Sequence, residues 1–283
     1  MNKRLLLFLP SLALVACSSP VNEHPSSRPS SLSSSEGSSE VTPKSYNVLF
    51  IGNSFTHYND LEVVSQNIAT NLGIDFTAER IAISSHHFYE YANPEDEGAK
   101  LIAAKIAEKS YTHIILQEHS TYPVSNYNLF LEGARSLVQT LRENQPGADI
   151  RLYQTWAFQN MVGNYGDSIA ACEEALCRAY QNAATTLGVG VHYVGKAFTK
   201  WLESGSGTSP YYSGDNKHPS YLGTYLSALI HVKSITGTSL SPLTYQGEKG
   251  KFNAYGETYV SDEDKTKLIQ TAEFIYDTYG IKS

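Results

Sequence analysis

Five short apolar runs, separated by stretches with helical spacing, constrain the fold of this chain more than any other feature. They predict β-strands at residues 46–52, 74–84, 111–117, 150–156 and 189–194. Strands that alternate with helices form right-handed βαβ units, in which the strands pair in parallel and helices cover both faces of the sheet. The sequence therefore predicts one α/β sandwich domain with a five-stranded parallel sheet.

The segments between and after these strands have the spacing of amphipathic helices. An apolar stripe from Leu61 to Leu72 predicts the first helix, which Asn59 or Asp60 can cap and Gly73 can end. Further helices are predicted at 95–109, 126–143, 166–187, 220–235 and 261–279. We find no repeat and no second linker, so the folded domain is expected to span residues 46–283.

The first 45 residues have a different composition from the rest. Lys3 and Arg4 precede a short apolar segment, as in a secretory signal, and the sequence LVAC ending at Cys17 resembles the lipobox of bacterial lipoproteins. This resemblance implies a signal peptide at 1–16, cleavage before Cys17 and a lipidated Cys17 thiol. An ordinary secretory signal with an incidental cysteine is the alternative. Residues 17–45 are rich in Ser and Pro and predict a disordered tether.

Charge and motifs exclude several classes of function. A net charge of −7 argues against a general nucleic-acid binder, because such proteins need Lys and Arg to neutralise phosphates. The chain has no HExxH motif and no metal-binding Cys/His spacing, so we expect no metal and no cofactor. We expect a monomer, held on a membrane of the cell envelope through Cys17. In a Gram-negative host this would be the outer membrane.

Two loops at predicted strand ends carry candidate catalytic residues. Ligands of parallel α/β sheets bind at the carboxyl ends of the strands, and Ser54 directly follows the first strand in the segment GNSFT. The segment DNKHP contains His218, which can accept and return a proton near neutral pH. Asp215, three residues earlier, can hydrogen-bond the other imidazole nitrogen. Each segment alone is also typical of an ordinary turn.

Together, GNS after the first strand and DxxHP before a late helix resemble the SGNH (GDSL-type) hydrolase superfamily, in its bacterial branch that carries GNSFT. The resemblance covers about residues 46–280. It implies a flavodoxin-like three-layer α/β/α sandwich and a Ser–His–Asp ester hydrolase. By motif, Ser54 is the nucleophile, His218 is the general base and then acid, and Asp215 orients His218.

The chain departs from the family pattern in the oxyanion hole, the set of donors that stabilises the anionic intermediate. The family's second block normally supplies a Gly amide, but here the second strand leads into Ser84 and Ser85, whose N–H groups could serve. The third block offers the side chain of Gln117 or of His119, and we favour Gln117. The expected hole therefore consists of donors from Ser54, Ser85 and Gln117.

Four further residues are candidates for lining the substrate site: Asn53, His119, Trp156 and Tyr212. Asn53 replaces the Asp that the family usually has, so it brings no charge. Trp156 at the end of the fourth strand is either a wall for the substrate or a half-buried aromatic that packs on the sheet edge. Tyr212 lies just before the Asp–His loop.

The resemblance and the exported context together predict a membrane-tethered serine esterase that forms an acyl-enzyme. Its expected substrates carry small acyl groups, such as acetyl esters on carbohydrate. Esters of longer acyl chains are the alternative substrates. A catalytically silent glycan-binding lipoprotein with the same fold is the alternative, which the missing Gly in the second block favours.

Overall fold

Five parallel strands form the centre of the protein. The computed structural model describes residues 44–206 and 209–280, so the predicted signal peptide, Cys17 and nearly all of the predicted tether lie outside the described residues. The strands are β1 (Tyr46–Gly52), β2 (Phe76–Ala82), β3 (His113–Leu116), β4 (Asp149–Tyr153) and β5 (Gly190–His192). They pair in the order β2-β1-β3-β4-β5. The predicted five-stranded parallel sheet is confirmed.

Helices cover both faces of this sheet. They are α1 (Ser54–His57), α2 (Leu61–Asn71), α3 (Phe88–Tyr91), α4 (Glu97–Glu108), α5 (Tyr122–Ser125), α6 (Tyr127–Asn144), α7 (Ile169–Leu187), α8 (Val194–Glu203), α9 (Tyr221–Thr236) and α10 (Asp262–Tyr279). Buried side chains of α2, α8, α9 and α10 pack on one face, those of α4 and α6 pack on the other, and α7 contributes to both. The result is the three-layer α/β/α sandwich that the resemblance implied.

The sequence of β1 shows how one strand serves both layers. Its side chains point alternately to opposite faces, so Val48 and Phe50 belong to the core on one side, and Leu49 and Ile51 to the core on the other. All four are buried. This explains why the strand is a continuous apolar run rather than an alternating one.

The sequence analysis did not predict the short helices α1, α3 and α5, the helix α8 or the hairpin that follows α9. Strand β5 has only three residues, and α8 begins at Val194, where the strand was expected to end. An antiparallel hairpin of β6 (Gly247–Asn253) and β7 (Gly256–Tyr259) lies between α9 and α10. The hairpin is mostly exposed and has few apolar residues, so its hydrophobic pattern gave no signal.

The first strand has the predicted bounds, whereas β2, β3, β4 and β5 end one to three residues earlier than predicted. In particular, β4 ends at Tyr153, so Trp156 lies in the loop that follows and not on the strand.

Within 44–206 and 209–280, no helix is both long and apolar enough to cross a membrane.

Candidate active site

Ser54 is the first residue of α1, at the carboxyl end of β1. The side chain of Asn53 caps this helix by accepting a hydrogen bond from the Phe55 N–H. The turn requires Gly52, because a Cβ there would come within 2.6 Å of the Gln117 Oε1 atom. Ser54 is partly exposed, and as a first-turn residue its N–H has no partner inside the helix.

The loop before α9 brings His218 and Asp215 to Ser54. The Ser54 Oγ lies 2.8 Å from the His218 Nε2, and the His218 Nδ1 lies 2.5 Å from the Asp215 Oδ2. Because a carboxylate only accepts, the imidazole proton is on Nδ1, which leaves Nε2 free to accept from the serine hydroxyl. The structure thus brings together the three residues that the sequence singled out, in a chain of two hydrogen bonds.

The second oxygen of Asp215 holds the loop itself. Its Oδ1 accepts hydrogen bonds from the N–H groups of Lys217 and His218, each at 2.9 Å. Burial alone would raise the pKa of Asp215, but the hydrogen bonds from the His218 side chain and from these two amides outweigh it and lower the pKa. Asp215 is therefore a carboxylate at neutral pH.

Aromatic rings fix the plane of the His218 imidazole. Tyr58, in a 3₁₀ turn after α1, stacks on it with ring centres 4.2 Å apart and planes 10° apart. Tyr255, at the tip of the β6–β7 hairpin, stacks on the outer side of Tyr58 at 3.8 Å. Tyr212 is half-buried, lies next to both tyrosines, and donates its N–H to the His218 carbonyl. Of these three, only Tyr212 was a candidate in the sequence.

Asn53 and Gln117 differ from the prediction. Both are buried, and Asn53 joins three segments instead of lining a site: its Oδ1 accepts from the Phe55 N–H and the Gln117 side chain, and its Nδ2 donates to the His86 carbonyl. The Gln117 Nε2 donates to Asn53 and to the Glu118 carbonyl. These two bonds use both hydrogens of the amide, so Gln117 has no donor left for an oxyanion. Its hydrogen bond to Asn53 instead supports the turn that carries Ser54.

Trp156 is neither a substrate wall nor a half-buried edge residue. It is fully buried, and its ring is stacked between Phe55 and Phe198, with ring centres 4.2 Å apart on each side. The Trp156 Nε1–H donates to the Lys217 carbonyl at 2.9 Å. Because the chain leaves β4 three residues before Trp156, the loop can turn the indole into the core. Trp156 therefore ties the Asp–His loop to the hydrophobic core.

Ser85 takes a backbone conformation that favours glycine. Its φ is +64°, and the preceding Ser84 hydroxyl lies 2.9 Å from the Nε2 of His57 in α1, which connects the end of β2 to the Ser54 segment. Among the described residues, the non-glycine residues with positive φ lie in the 3₁₀ turn after α1, in the segment after β2 and in the Asp–His loop: Asn59, Asp60, Ser85 and Asn216. Strained backbone of this kind clusters at functional sites. The donor roles of the Ser54 and Ser85 amides stay predictions.

His119 faces the site from the end of β3. It is half-buried, and its pKa is lowered to about 4, first by burial and then by the charges of His87, Lys217 and His218. His119 is therefore neutral at neutral pH. The backbone N–H of His119 donates to the carboxylate of Glu118. This carboxylate is fully buried and also accepts from the His87 Nδ1 and the Phe88 N–H.

Glu118 was missed by the sequence analysis. Its hydrogen bonds hold the segment after β2 against the segment after β3. An acidic residue directly after a predicted buried strand was the available signal.

Two other features do not compete for the site. Within 44–206 and 209–280, no group of three or more His, Cys, Asp or Glu side chains is arranged to hold a metal ion. A cavity of about 470 Å³ lies between α4 and α6, lined mainly by apolar side chains such as Ile102, Ile106 and Leu137. None of the three residues of the Ser54 hydrogen-bond chain lines it.

No family model matches this chain, and no curated protein matches its sequence. Solved structures do match. One is a DUF4886 family protein from Bacteroides uniformis, 17% identical with a TM-score of 0.71, over 85% of this chain and 98% of that one. A second, assigned as an SGNH hydrolase from Slackia heliotrinireducens, is 23% identical with a TM-score of 0.55, over 68% and 100%. A third, the acetyl xylan esterase AlAXEase, is 11% identical with a TM-score of 0.50, over 67% and 99%.

These similarities concern the fold. The five-stranded parallel sheet with helices on both sides is the α/β fold of the SGNH/GDSL hydrolases. In that fold this chain carries a serine, a histidine and an aspartate, joined by hydrogen bonds at the carboxyl edge of the sheet.

Proposed function

We propose that this chain is a serine ester hydrolase that works through an acyl-enzyme on Ser54. The observation that carries the proposal is the pair of hydrogen bonds from Ser54 to His218 and from His218 to Asp215, at 2.8 and 2.5 Å. A serine hydroxyl becomes a useful nucleophile only when a base takes its proton, and the neutral Nε2 of His218 is in position to do so.

In the first half of the reaction, the Ser54 Oγ attacks the carbonyl carbon of the ester while its proton passes to the His218 Nε2. The carbonyl oxygen becomes an oxyanion, which the N–H groups of Ser54 and Ser85 are proposed to stabilise. The intermediate collapses when the bond to the alcohol oxygen breaks. The imidazolium then gives its proton to the departing alcohol, and the acyl group stays on Ser54.

In the second half, water attacks the acyl carbon and His218 takes a proton from that water. The bond to the Ser54 Oγ breaks, Ser54 recovers its proton from His218, and the carboxylic acid leaves. Asp215 stays ionised throughout and stabilises the imidazolium in both halves.

We further propose small acyl groups on carbohydrate as the substrates. Half-buried aromatic and imidazole rings lie beside the triad, among them Tyr212, Tyr255 and His119, and such rings can pack on the faces of sugars. A solved structure with a similar fold is described as an acetyl xylan esterase. Longer acyl chains are the alternative within the same reaction.

The central experiment is hydrolysis of p-nitrophenyl acetate by the purified full-length protein. We expect Ser54→Ala to lower the rate by at least about 10⁴-fold, because the triad loses its nucleophile. We also expect a fluorophosphonate probe to label the wild-type protein at Ser54. Ser136→Ala, which removes an exposed hydroxyl on α6, is the matched control and is expected to keep full activity.

A folded wild-type protein that neither hydrolyses the ester nor takes the label at Ser54 would refute the proposal. If that protein bound oligosaccharides, the silent glycan-binding alternative would replace it.

We also propose that the protein is exported and lipid-anchored through Cys17 to a membrane of the cell envelope. The support is the sequence pattern of a charged start, a short apolar segment and the cysteine. Labelling of growing cells with a fatty-acid analogue is expected to mark the wild-type protein and not the Cys17→Ser variant. Equal labelling of both would contradict the anchor.

A further inference from the structure

Lys217, the neighbour of His218 in the Asp–His loop, has an ammonium group that forms no ion pair with any carboxylate of the described residues. Its backbone belongs to the Asp–His loop, where the N–H donates to Asp215 and the carbonyl accepts from Trp156. Its Nζ lies 5.8 Å from the ring centre of Phe55 and 5.5 Å from that of Phe158. Within the described part of the chain, no oxygen accepts a hydrogen bond from this ammonium, and no carboxylate forms an ion pair with it.

Other partly buried cations of the protein have carboxylate partners. Lys196 lies 2.9 Å from Glu173, and Lys233 lies 2.7 Å from Glu273. Burial lowers the pKa of Lys217, although the charge of nearby Asp215 raises it. The two aromatic faces attract the cation but offer it no oxygen, so the N–H donors that do not point at the rings can bind a ligand.

The position of this ammonium relates it to the reacting atoms. Phe55 directly follows Ser54, and Lys217 directly precedes His218. The charges of Lys217 and His218 both act on His119, which follows β3. The Lys217 ammonium therefore lies at the same edge of the sheet as the Ser54–His218 pair, between the segments that follow β1, β3 and β4.

We propose that Lys217 binds a carboxylate carried by the alcohol part of the substrate, so that the site prefers acyl esters of acidic sugars to those of neutral sugars. The inference rests on the proposed ester hydrolysis. We place the carboxylate on the alcohol part of the ester because a small acyl group such as acetyl carries no carboxylate of its own. The net charge of −7 repels acidic substrates at long range, so the preference depends on this local cation.

The experiment compares two substrates that differ in one charged group. Full-length protein is assayed with mono-O-acetylated methyl glucuronide and with mono-O-acetylated methyl glucoside, and kcat/KM is measured for both. A hydrogen bond between charged groups corresponds to about 10- to 100-fold in binding. We expect the wild-type protein to prefer the glucuronide by at least about 10-fold, through a lower KM.

Lys217→Met keeps the apolar stem and removes the charge, so we expect it to abolish most of this preference. Lys217→Arg keeps a cation and is expected to retain most of it. The matched control is Lys200→Met on α8, because the Lys200 ammonium also lies over a phenyl ring, 4.7 Å from the centre of Phe274. That variant is expected to keep the wild-type preference.

The outcomes separate this inference from the proposed function. Equal kcat/KM for the two esters in the wild-type protein, or a preference that Lys217→Met leaves intact, would overturn the role of Lys217 while ester hydrolysis stood. An equal fall of kcat on both esters in Lys217→Met would make the lysine a structural part of the loop and would also overturn it. A wild-type protein inactive on p-nitrophenyl acetate would overturn the proposed function, and this inference with it.

Discussion

At the scale of single residues, the two oxygens of the Asp215 carboxylate have separate partners. Oδ2 accepts from the His218 imidazole, and Oδ1 accepts from two backbone N–H groups of the same loop. The residue therefore both shapes the loop and selects the imidazole tautomer. A substitution that preserves one oxygen can separate these two effects.

We predict that Asp215→Asn leaves the loop folded and removes the activity. An asparagine oxygen can still accept from the two amides, but its NH₂ donates to the His218 Nδ1 and moves the imidazole proton to Nε2. The Ser54 hydroxyl then has no acceptor, and we expect kcat to fall by about 10⁴-fold. Kinetics on p-nitrophenyl acetate and a thermal melt measure both effects.

Asp149→Asn is the control, since Asp149 lies at the amino end of β4 and the candidate site lies at the carboxyl ends of the strands. A variant of Asp215 that keeps more than a tenth of the wild-type kcat would show that the tautomer does not limit the reaction.

The sequence identified Ser54, His218 and Asp215 as a set because their spacing in two motifs fits one known chemistry. It did not give the roles of Gln117 and Trp156. The rule that sites form at strand ends predicts the edge of the sheet, but not the direction in which a side chain leaves it. Gln117 turns under Asn53, and Trp156 turns into the core. Those directions depend on tertiary packing that a linear pattern does not contain.

At the scale of elements, the β6–β7 hairpin reaches the site although it lies outside the central sheet. The Asn253 side chain donates to Asn59, whose own amide donates to the Pro219 carbonyl and to Thr224 in α9. The hairpin is thus fixed to the Asp–His loop, and Tyr255 at its tip covers Tyr58. Its turn, Asn-Ala-Tyr-Gly, was the local signal that could have predicted it.

We predict that Tyr255→Leu lowers kcat by about 2- to 10-fold, because the loss of one aromatic pair weakens the packing that holds Tyr58 on His218. The melting temperature is expected to change little, since the hairpin is mostly exposed. Phe252→Ala, on the same hairpin but exposed by 70%, is expected to leave kcat unchanged. Equal kinetics for the two variants would show that the hairpin does not support the imidazole.

At the scale of the whole molecule, β1 has a neighbour on each side, β2 and β3, and the candidate site lies where the chain direction across the sheet reverses. The core beside this point contains two fully buried histidines. The Nδ1 atoms of His192 and His231 are 2.7 Å apart, and the Nε2 atoms of both are buried with no partner among the described residues. Burial lowers the pKa of His231 to about 3, and burial together with His231 lowers that of His192.

This pair predicts a steep loss of stability in acid. In the unfolded chain both histidines bind protons near pH 6.5, while in the folded protein they stay neutral to much lower pH. Their contribution to the free energy of unfolding is complete above pH 6.5 and is lost as the pH falls towards 3. Each group contributes a slope of up to about 1.4 kcal/mol per pH unit in the free energy of unfolding.

Urea denaturation at pH 7.5, 6, 5 and 4 measures this slope. We expect the double variant His192→Leu/His231→Leu to have a shallower slope by about 1 to 3 kcal/mol per pH unit. Because both partners become apolar together, the variant is not left with an unpaired polar atom and is expected to fold. Identical slopes in the variant and the wild-type protein would contradict the prediction.

The distance along the chain between Ser54 and His218 has a consequence for the making of the protein. The histidine follows the serine by 164 positions, so the ribosome needs about 10 to 30 s to reach it at ordinary elongation rates. During that time His218 cannot accept the proton of the serine hydroxyl, so the proposed hydrolysis cannot begin. Under the proposed mechanism, hydrolysis therefore also requires that the loop before α9 has docked on the segment that follows β1.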